Sequence, residues 1–399
     1  MNRGLMLTSL VLLAGSALGQ PGQVIPHEFT VRLVEEERID DIAESYGAVV
    51  VAGYPSRRVY LLRVTEFDDD DEAEQELEGD DRLEWADRNR VNAIAGEHTQ
   101  SFFVQAVPSS FFDQPAWPAI GLPVSSPNPP PWRVVVAVLD TGVYPHPLYQ
   151  GAVLADGANF IDGEPPTMDQ PAGQDTNGNG RPDELAGHGS FIAGLITHIA
   201  PGADILPVRV LDSDGVGTSF SVAAGIYYAI DHRAAVINLS LATTTDTVTL
   251  REAVKAATDV GVSVVCAAGG AEAGGPTYPG AIPGATAVCS IGYDDRLSPW
   301  SGSGGFVTFA APGEGVVSTF PPDQFAQADG TSVSAALVSG AVARECCRRP
   351  MTRGASAMKV LRPGARPIDG ANPGLSGLVG RALVVEPAPV RPPMVMKAR

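Results

Sequence analysis

Three polar residues stand where apolar runs of the chain stop, and together they could carry out nucleophilic catalysis. Asp140 ends the run VVVAVLD, and His188 lies between two glycines before SFIAGLI. Ser332 follows Asp-Gly-Thr directly before the helix-like run VSAALVSGAVARECC. A serine hydroxyl is a weak nucleophile at neutral pH, so it needs an imidazole to take its proton and a buried carboxylate to hold that imidazole in the right tautomer. Taken singly, such an aspartate is often a turn residue and such a serine a helix N-cap. Together they predict Ser332 as nucleophile, His188 as general base and Asp140 as the group that orients the histidine.

The stretch from Arg133 onward has the rhythm of a fold that could bring these residues together. Apolar runs of strand length alternate with helix-like stretches such as HGSFIAGLITHIA and TSFSVAAGIYYAIDHRA. Continuous Val, Ile and Leu runs separated by helices indicate a mostly parallel sheet that is covered on both faces, which is a doubly wound α/β fold. In such sheets the functional residues collect at the carboxyl ends of the strands.

The blocks around the three residues resemble the three signature blocks of the subtilase family, in the family's order Asp, His, Ser. These blocks are VAVLDTGV, GHGSFIAG and DGTSVSAALVSG, and the likeness runs from about Phe111 to Arg381. The resemblance implies a secreted serine endopeptidase that hydrolyses peptide bonds of a peptide or protein substrate through an acyl-enzyme. It further implies that the substrate lies as an extra strand between two segments and beside Gly269. The first segment is Gly215, Val216 and Gly217, and the second is Ser240, Leu241 and Ala242.

The chain departs from the family pattern beside the predicted oxyanion site. The family places an asparagine after Ala-Ala-Gly to donate to the oxyanion, and this chain has Gly270 there. Losing such a donor costs ~10²–10³ in turnover, a magnitude measured in a member of this family. The Ser332 backbone N–H remains and the Thr331 hydroxyl could assist. An impaired pseudo-enzyme that only binds peptides is therefore the alternative. Ala242 and Thr277 replace glycines common in the first specificity pocket, so we expect a narrower pocket.

The triplet Asp140-Thr141-Gly142 is also typical of another class of enzyme, the aspartic proteases. That chemistry needs two carboxylates that share one proton. No second Asp-Thr-Gly or Asp-Ser-Gly occurs in the chain. The serine mechanism is therefore favoured.

The segment DTNGNGRPD has oxygen-bearing side chains at alternate positions around a glycine turn, a pattern that can wrap a hard cation. We predict a structural calcium site there. The glutamate expected at the twelfth position is replaced by Ala186. A polar surface loop with Asx turns is the other interpretation. The predicted ligands are the side chains of Asp175, Asn177, Asn179 and Asp183 and the carbonyl oxygen of Arg181.

The N-terminal residues predict that the protein is made as a precursor. Residues 1–19 have an early arginine, a short apolar run and a small-x-small end, which is typical of a cleavable signal peptide. The apolar run is too short for a membrane anchor of ~20 helical residues. Residues 20–97 alternate as β-α-β-β-α-β and loosely resemble the family's inhibitory propeptide, which implies that this prosegment inhibits its own catalytic domain. The acidic run Asp68–Asp81 within it is either a solvated helix face or a loop.

The remaining segments and the composition complete the prediction. Residues 98–132 are a proline-rich linker that wraps the catalytic domain, residues 133–385 form that domain, and residues 386–399 are a proline-rich tail. The formal net charge is −19 with no cluster of Lys and Arg, which argues against nucleic acid as a partner. No later stretch is apolar and long enough for a membrane helix. We expect a secreted or periplasmic monomer with no membrane contact after signal removal.

Overall fold

The structure is a computed structural model, and it describes residues 6–7, 20–35, 37–67, 69–94, 104–122, 132–163, 168–349 and 353–385. The predicted proline-rich tail lies outside the described residues. So does the predicted signal peptide, apart from the short strand β1 (Met6–Leu7).

An eight-stranded sheet forms the centre of the larger part of the molecule. All of its described strand pairs are parallel, in the order β17-β14-β13-β12-β11-β7-β9-β8. Its central strands are buried runs of Val, Ile, Leu and Ala, as expected for a sheet with both faces covered. The strands are β7 (Val134–Asp140), β8 (Ala158–Asn159), β9 (Ala203–Arg209), β11 (Val236–Leu239), β12 (Ser263–Ala267), β13 (Thr286–Ile291), β14 (Val307–Pro312) and β17 (Arg381–Ala382).

Helices cover both faces of this sheet. Along β7, Val136 and Val138 pack into one hydrophobic core and Ala137 and Leu139 into another, because successive side chains of a strand point to opposite faces. The predicted doubly wound α/β fold is therefore confirmed. The first core contains residues of α5 (His188–Ile199), α8 (Thr331–Arg348) and α9 (Gly354–Gly364), and the second contains residues of α6 (Ser219–Asp231) and α7 (Val248–Asp259).

The N-terminal unit has a second sheet, whose described strand pairs are all antiparallel, and its own core. Its strand order is β1-β3-β4-β2-β5-β10, and its core includes Phe29, Val31, Ile42, Leu62 and Leu77. The part of the acidic run that the structure describes contains a helix, α2, whose buried residues are Ala73 and Leu77. The elements are β2 (Val24–Leu33), α1 (Ile39–Ser45), β3 (Ala48–Tyr54), β4 (Val59–Val64), α2 (Asp70–Glu78), β5 (Leu83–Ala93) and, from the larger part, β10 (Val216–Thr218).

The described part of the predicted linker is folded. Its strand β6 (Val104–Ala106) joins β15 (Val316–Phe320) and β16 (Gln324–Ala328) in a three-stranded sheet. It then forms the short helices α3 (Pro108–Phe112) and α4 (Ala116–Ala119), which place Phe111 and Trp117 in the first core. In the part of the chain that the structure covers, no helix is long and apolar enough to cross a membrane.

Candidate active site

Asp140 and His188 form a buried pair at the carboxyl edge of the large sheet. Asp140 is the last residue of β7 and His188 is the first residue of α5. The His188 Nδ1 and Asp140 Oδ1 atoms are 2.7 Å apart, and the two residues are 2% and 0% exposed. The backbone N–H of Thr141 donates to the same Oδ1 at 2.8 Å. A carboxylate at Nδ1 keeps the proton on that nitrogen, so Nε2 is the nitrogen that can accept a proton.

The glycine after His188 explains how the helix can begin so close to Asp140. A Cβ on Gly189 would lie 2.0 Å from the carbonyl oxygen of Gly142, so this approach of α5 to the loop after β7 requires a glycine. Gly187, on the other side, has a φ of 100°, which favours glycine. The contact between Asp140 and His188 therefore requires a glycine on each side of the histidine.

Ser332 lies at the start of α8 and is fully buried. We predicted that the helix begins after Ser332, but it begins at Thr331, so Ser332 is in its first turn. Backbone N–H groups and the positive end of the helix dipole therefore surround the serine. The Ser332 Oγ donates to the carbonyl oxygen of Ser240 at 3.2 Å. Ser240 follows β11, which pairs with β7, so the serine reaches the same edge of the sheet as Asp140.

An acidic side chain lies against the predicted oxyanion site, which consists of Gly270 and Thr331. The Thr331 hydroxyl donates to the carbonyl oxygen of Gly269 at 3.5 Å. This bond places the segment 269–270 next to the start of α8. A Cβ on Gly270 would lie 1.9 Å from the Glu272 Oε1 and 2.1 Å from its Oε2. The Glu272 carboxyl therefore occupies the space that a side chain at position 270 would need. Glu272 was not predicted from the sequence, where only its position two residues after Gly270 could have indicated it.

Thr277 packs against Gly269, beside the predicted specificity pocket. Its Oγ1 donates to the carbonyl oxygen of Ala268 at 2.7 Å. A Cβ on Gly269, whose φ is 75°, would lie 2.8 Å from the Thr277 Cγ2. The threonine methyl group thus packs against the glycine beside the predicted specificity pocket.

The end of β5 lies between the two segments that were predicted to hold the substrate. Ala93 exchanges both backbone hydrogen bonds with Ala242, at 3.1 and 2.8 Å. On its other side β5 pairs antiparallel with β10, so that Ala93 lies opposite Val216 and Asn92 opposite Gly217. The backbone N–H of Ile94 donates to the carbonyl oxygen of Gly215 at 3.1 Å. The N-terminal unit therefore adds a strand between residues 215–217 and 240–242.

Two side chains of β5 also cap helices of the larger part. The Asp87 Oδ2 accepts from the Thr249 N–H and hydroxyl at 2.8 Å each, at the start of α7. The Asn89 Oδ1 accepts from the Phe220 N–H at 3.2 Å, at the start of α6. A carboxylate at a helix N-terminus is favourable because it meets unpaired N–H groups and the positive dipole end. Burial raises the pKa of Asp87.

The loop predicted to bind calcium is held by Asx turns. The Asp175 carboxylate accepts from the N–H groups of Asn179 and Gly180 at 3.1 and 2.9 Å. The Asp183 carboxylate accepts from the N–H groups of Ala172 and Gly173 at 2.7 Å each.

A further acid that was not predicted from the sequence, Glu184, accepts from the amide groups of Asn177 and Asn179. Within the described ranges, no three His, Cys, Asp or Glu side chains are placed to hold a metal ion together. A carboxylate has about four lone-pair sites, so the N–H bonds leave room for a cation at Asp175.

His198 and the four cysteines are packing residues. His198 stacks on Trp117 with ring centroids 4.4 Å apart, and burial lowers its pKa to about 4. The four cysteines are buried and free. Burial raises the pKa of the Cys346 thiol to about 12, so it is protonated at neutral pH.

A buried Asp–His pair and a serine in the first turn of a helix lie at the carboxyl edge of the same doubly wound sheet, which is the arrangement that a serine hydrolase requires. A family model described as the subtilase family matches residues 133–367. Subtilisin Savinase from Lederbergia lenta is 34% identical over 255 residues, which is 62% of this chain and 88% of that protein. Thermitase from Thermoactinomyces vulgaris is 40% identical over 209 residues, 51% of this chain and 72% of that protein.

The fold comparison agrees with the sequence comparison. Fervidolysin from Fervidobacterium pennivorans superposes with a TM-score of 0.71 at 22% identity, covering 93% of this chain and 63% of fervidolysin. The chain belongs to the subtilase family, a class of serine-type endopeptidases. The resemblance inferred from the three sequence blocks is thereby confirmed.

Proposed function

We propose that this chain is a secreted serine endopeptidase in which Asp140, His188 and Ser332 form the catalytic triad. The observation that carries the proposal is the buried 2.7 Å contact between the His188 Nδ1 and the Asp140 Oδ1. It fixes the imidazole so that Nε2 can take the proton of the Ser332 hydroxyl as that oxygen attacks a peptide carbonyl. His188 then gives the proton to the leaving amine, and water hydrolyses the acyl-enzyme with His188 again acting as base.

The negative oxygen that forms during the attack needs hydrogen-bond donors. The Ser332 backbone N–H lies in the first turn of α8, where it has no intrahelical acceptor and faces the positive end of the dipole. The Thr331 hydroxyl is the second candidate donor, once it leaves the 3.5 Å bond to Gly269. Gly270 has no side chain to offer. The missing side-chain donor is the observation that supports the alternative proposal, a peptide-binding pseudo-enzyme. Kinetic measurements distinguish the two proposals.

Labelling with a fluorophosphonate tests the triad. We expect the probe to modify Ser332 in the wild-type protein, because a serine that a general base activates attacks phosphorus far faster than an ordinary serine. Ser332→Ala and His188→Ala should remain unlabelled, whereas Ser356→Ala, which changes an exposed serine of α9, should be labelled like wild type. Peptide mass spectrometry identifies the modified residue. Labelling at another serine, or none in folded protein, would reject the triad, and inhibition by pepstatin alone would support the aspartic alternative.

We further propose that residues 20–97 act as an intramolecular inhibitor, and that the natural substrate takes the place of Ala93. The support is that β5 already adds a strand between the two predicted substrate segments, which is a common way to bind an extended peptide. The proposal includes secretion or export to the periplasm, with 98–132 and 133–385 as linker and catalytic domain and the protein as a monomer.

We also propose that a calcium ion is held by the Asp175–Asp183 loop, through the oxygens of Asp175, Asn177, Asn179, Asp183 and the Arg181 carbonyl. A cation bound only by the folded state stabilises that state by mass action. Adding a chelator should therefore lower the melting temperature of wild type, and should leave that of Asp175→Ala unchanged. Calorimetry with and without the chelator measures this. Equal melting curves for wild type would leave the loop as an ordinary set of Asx turns.

A further inference from the structure

A second buried carboxylate, Asp169, lies behind the His188–Asp140 pair. The residue is 1% exposed and precedes α5 by a long loop. Its Oδ1 accepts from the Gly187 N–H at 2.7 Å and from the Thr141 hydroxyl at 2.9 Å. Its Oδ2 accepts from both the N–H and the hydroxyl of Ser190, at 3.0 Å each. No motif in the sequence marks this residue.

The hydrogen bonds at Asp169 suit an ionised carboxylate. The Ser190 hydroxyl already accepts the Tyr144 N–H at 2.8 Å, and the Thr141 hydroxyl accepts the Gly189 N–H at 3.1 Å. Each hydroxyl has one proton, and with an N–H on its lone pair it turns that proton toward Asp169. Four donors therefore stabilise the charged form. Burial acts in the opposite direction and raises the pKa of Asp169.

The partners of Asp169 are the neighbours of the two residues proposed for catalysis. Gly187 and Ser190 flank His188 at the start of α5. Thr141 follows Asp140 and donates its N–H to the Asp140 Oδ1 at 2.8 Å, with its hydroxyl 3.3 Å from the same oxygen. One carboxylate thus joins the start of α5 to the loop after β7, the two elements that have to keep the His188 Nδ1 against the Asp140 Oδ1.

We propose that Asp169 is a positioning residue that clamps His188 to Asp140 and whose negative charge helps to stabilise the protonated imidazole during turnover. This rests on the proposed triad. The Oδ2 atom of Asp140 is buried and has no hydrogen-bond partner among the described residues, so Asp140 itself is held only through Oδ1. A carboxylate held through one oxygen depends more on the loop around it, which is the loop that Asp169 fixes through Thr141.

The charges around the pair decide the sign of the pH effect. Asp140 faces His188 directly, and the Arg209 guanidinium of β9 donates to the Thr141 carbonyl oxygen at 2.9 Å. The Tyr149 phenol donates to the Ser190 carbonyl oxygen at 3.1 Å, and burial raises its pKa, so it stays neutral. Asp169, which is bonded to residues on both sides of His188, is thus a second carboxylate beside the helix start that carries the imidazole. Removing its charge should make the imidazolium less stable, so the acid limb of the activity profile should move to lower pH.

Asp169→Asn should lower kcat about tenfold with little change in KM, because it disturbs positioning and not substrate binding. The acid limb of kcat/KM against pH should move down by about 0.5–1 unit, as expected for the loss of one nearby buried charge. The measurement is a pH series of kcat/KM on the processed enzyme, with melting temperatures recorded alongside. Asp204→Asn is the matched control, because it removes a half-buried carboxylate at the opposite end of β9. It should leave kcat and the acid limb unchanged.

A second pair of variants keeps the test decisive if Asp169→Asn does not fold. Thr141→Val removes the hydroxyl that joins Asp169 to the loop and should also lower kcat, whereas Thr141→Ser should restore it. An unmoved acid limb and unchanged kcat in Asp169→Asn would overturn the inference, and so would equal kcat for Thr141→Val and Thr141→Ser. Fluorophosphonate labelling separates the two proposals. A wild type that is not labelled refutes the triad, whereas a labelled, active wild type with no effect of Asp169→Asn refutes only the positioning role.

Discussion

Ala93→Pro in the segment 20–97 should weaken inhibition of the catalytic region about 10- to 100-fold. Proline has no N–H and is not tolerated inside a paired strand. The substitution removes the N–H that Ala93 donates to the carbonyl oxygen of Ala242 at 3.1 Å. Leaving such a buried acceptor unpaired costs about 1–3 kcal/mol, which corresponds to roughly one to two factors of ten in an inhibition constant.

The measurement is the inhibition constant of separately made residues 20–97 against the processed enzyme. Gln75→Ala is the matched control, since Gln75 is exposed on α2 and is not part of β5. Asp87→Ala should raise the inhibition constant by a smaller factor, because it removes only the cap on α7. If wild-type 20–97 does not bind at micromolar concentration, or if Ala93→Pro inhibits as well as Gln75→Ala, the strand in the cleft is not an inhibitor.

The periodicity of the chain was sufficient to predict the large sheet and its class. A run such as VVVAVLD must be buried on both faces, and β7 indeed has Val136 in one core and Ala137 in the other. Helix boundaries were less accurate. The start of α8 was placed two residues too late, because Gly330 and not a polar side chain precedes the helix, so the usual capping signal is missing.

The features that the sequence did not indicate all depend on contacts between distant residues. Asp169 and Glu272 belong to no periodic pattern or motif, and their roles appear only when the loops fold onto Thr141 and Gly270. The antiparallel pairing of β5 with β10 joins residues more than 120 positions apart. A family resemblance suggested that a strand would lie there. Neither composition nor spacing could predict which residue of the N-terminal unit would reach Ala242.

The folding of the linker shows the same limit. Its proline-rich composition indicated a connection that wraps the next domain, yet Phe111 and Trp117 enter the first core. The Gln114 side chain forms hydrogen bonds with both backbone groups of Val317, at 2.8 and 2.9 Å. These contacts come from single residues within a stretch of low regularity. Composition averages over such residues, so it underestimated how firmly this segment is fixed.

Gly270→Asn combined with Glu272→Ala should raise kcat on a peptide substrate about tenfold while KM stays nearly unchanged. The new amide would donate to the oxyanion mainly in the transition state, so it acts on turnover and not on substrate binding. A tenfold gain corresponds to about 1.4 kcal/mol. Glu272→Ala is needed because a side chain at position 270 would collide with the Glu272 carboxyl, 1.9 Å from the Cβ position.

Four variants separate the donor from its surroundings by steady-state kinetics. Gly270→Asn alone should gain less than the double variant, since the exposed Glu272 side chain has to move aside. Gly270→Asp with Glu272→Ala has nearly the same shape but no N–H, so it should gain nothing, and Glu272→Ala alone measures the effect of the removed charge. Ser332→Ala gives the background rate. If wild type is no faster than Ser332→Ala and the double variant does not exceed that rate, the chain is a peptide-binding pseudo-enzyme, because restoring the missing donor would then have nothing to accelerate.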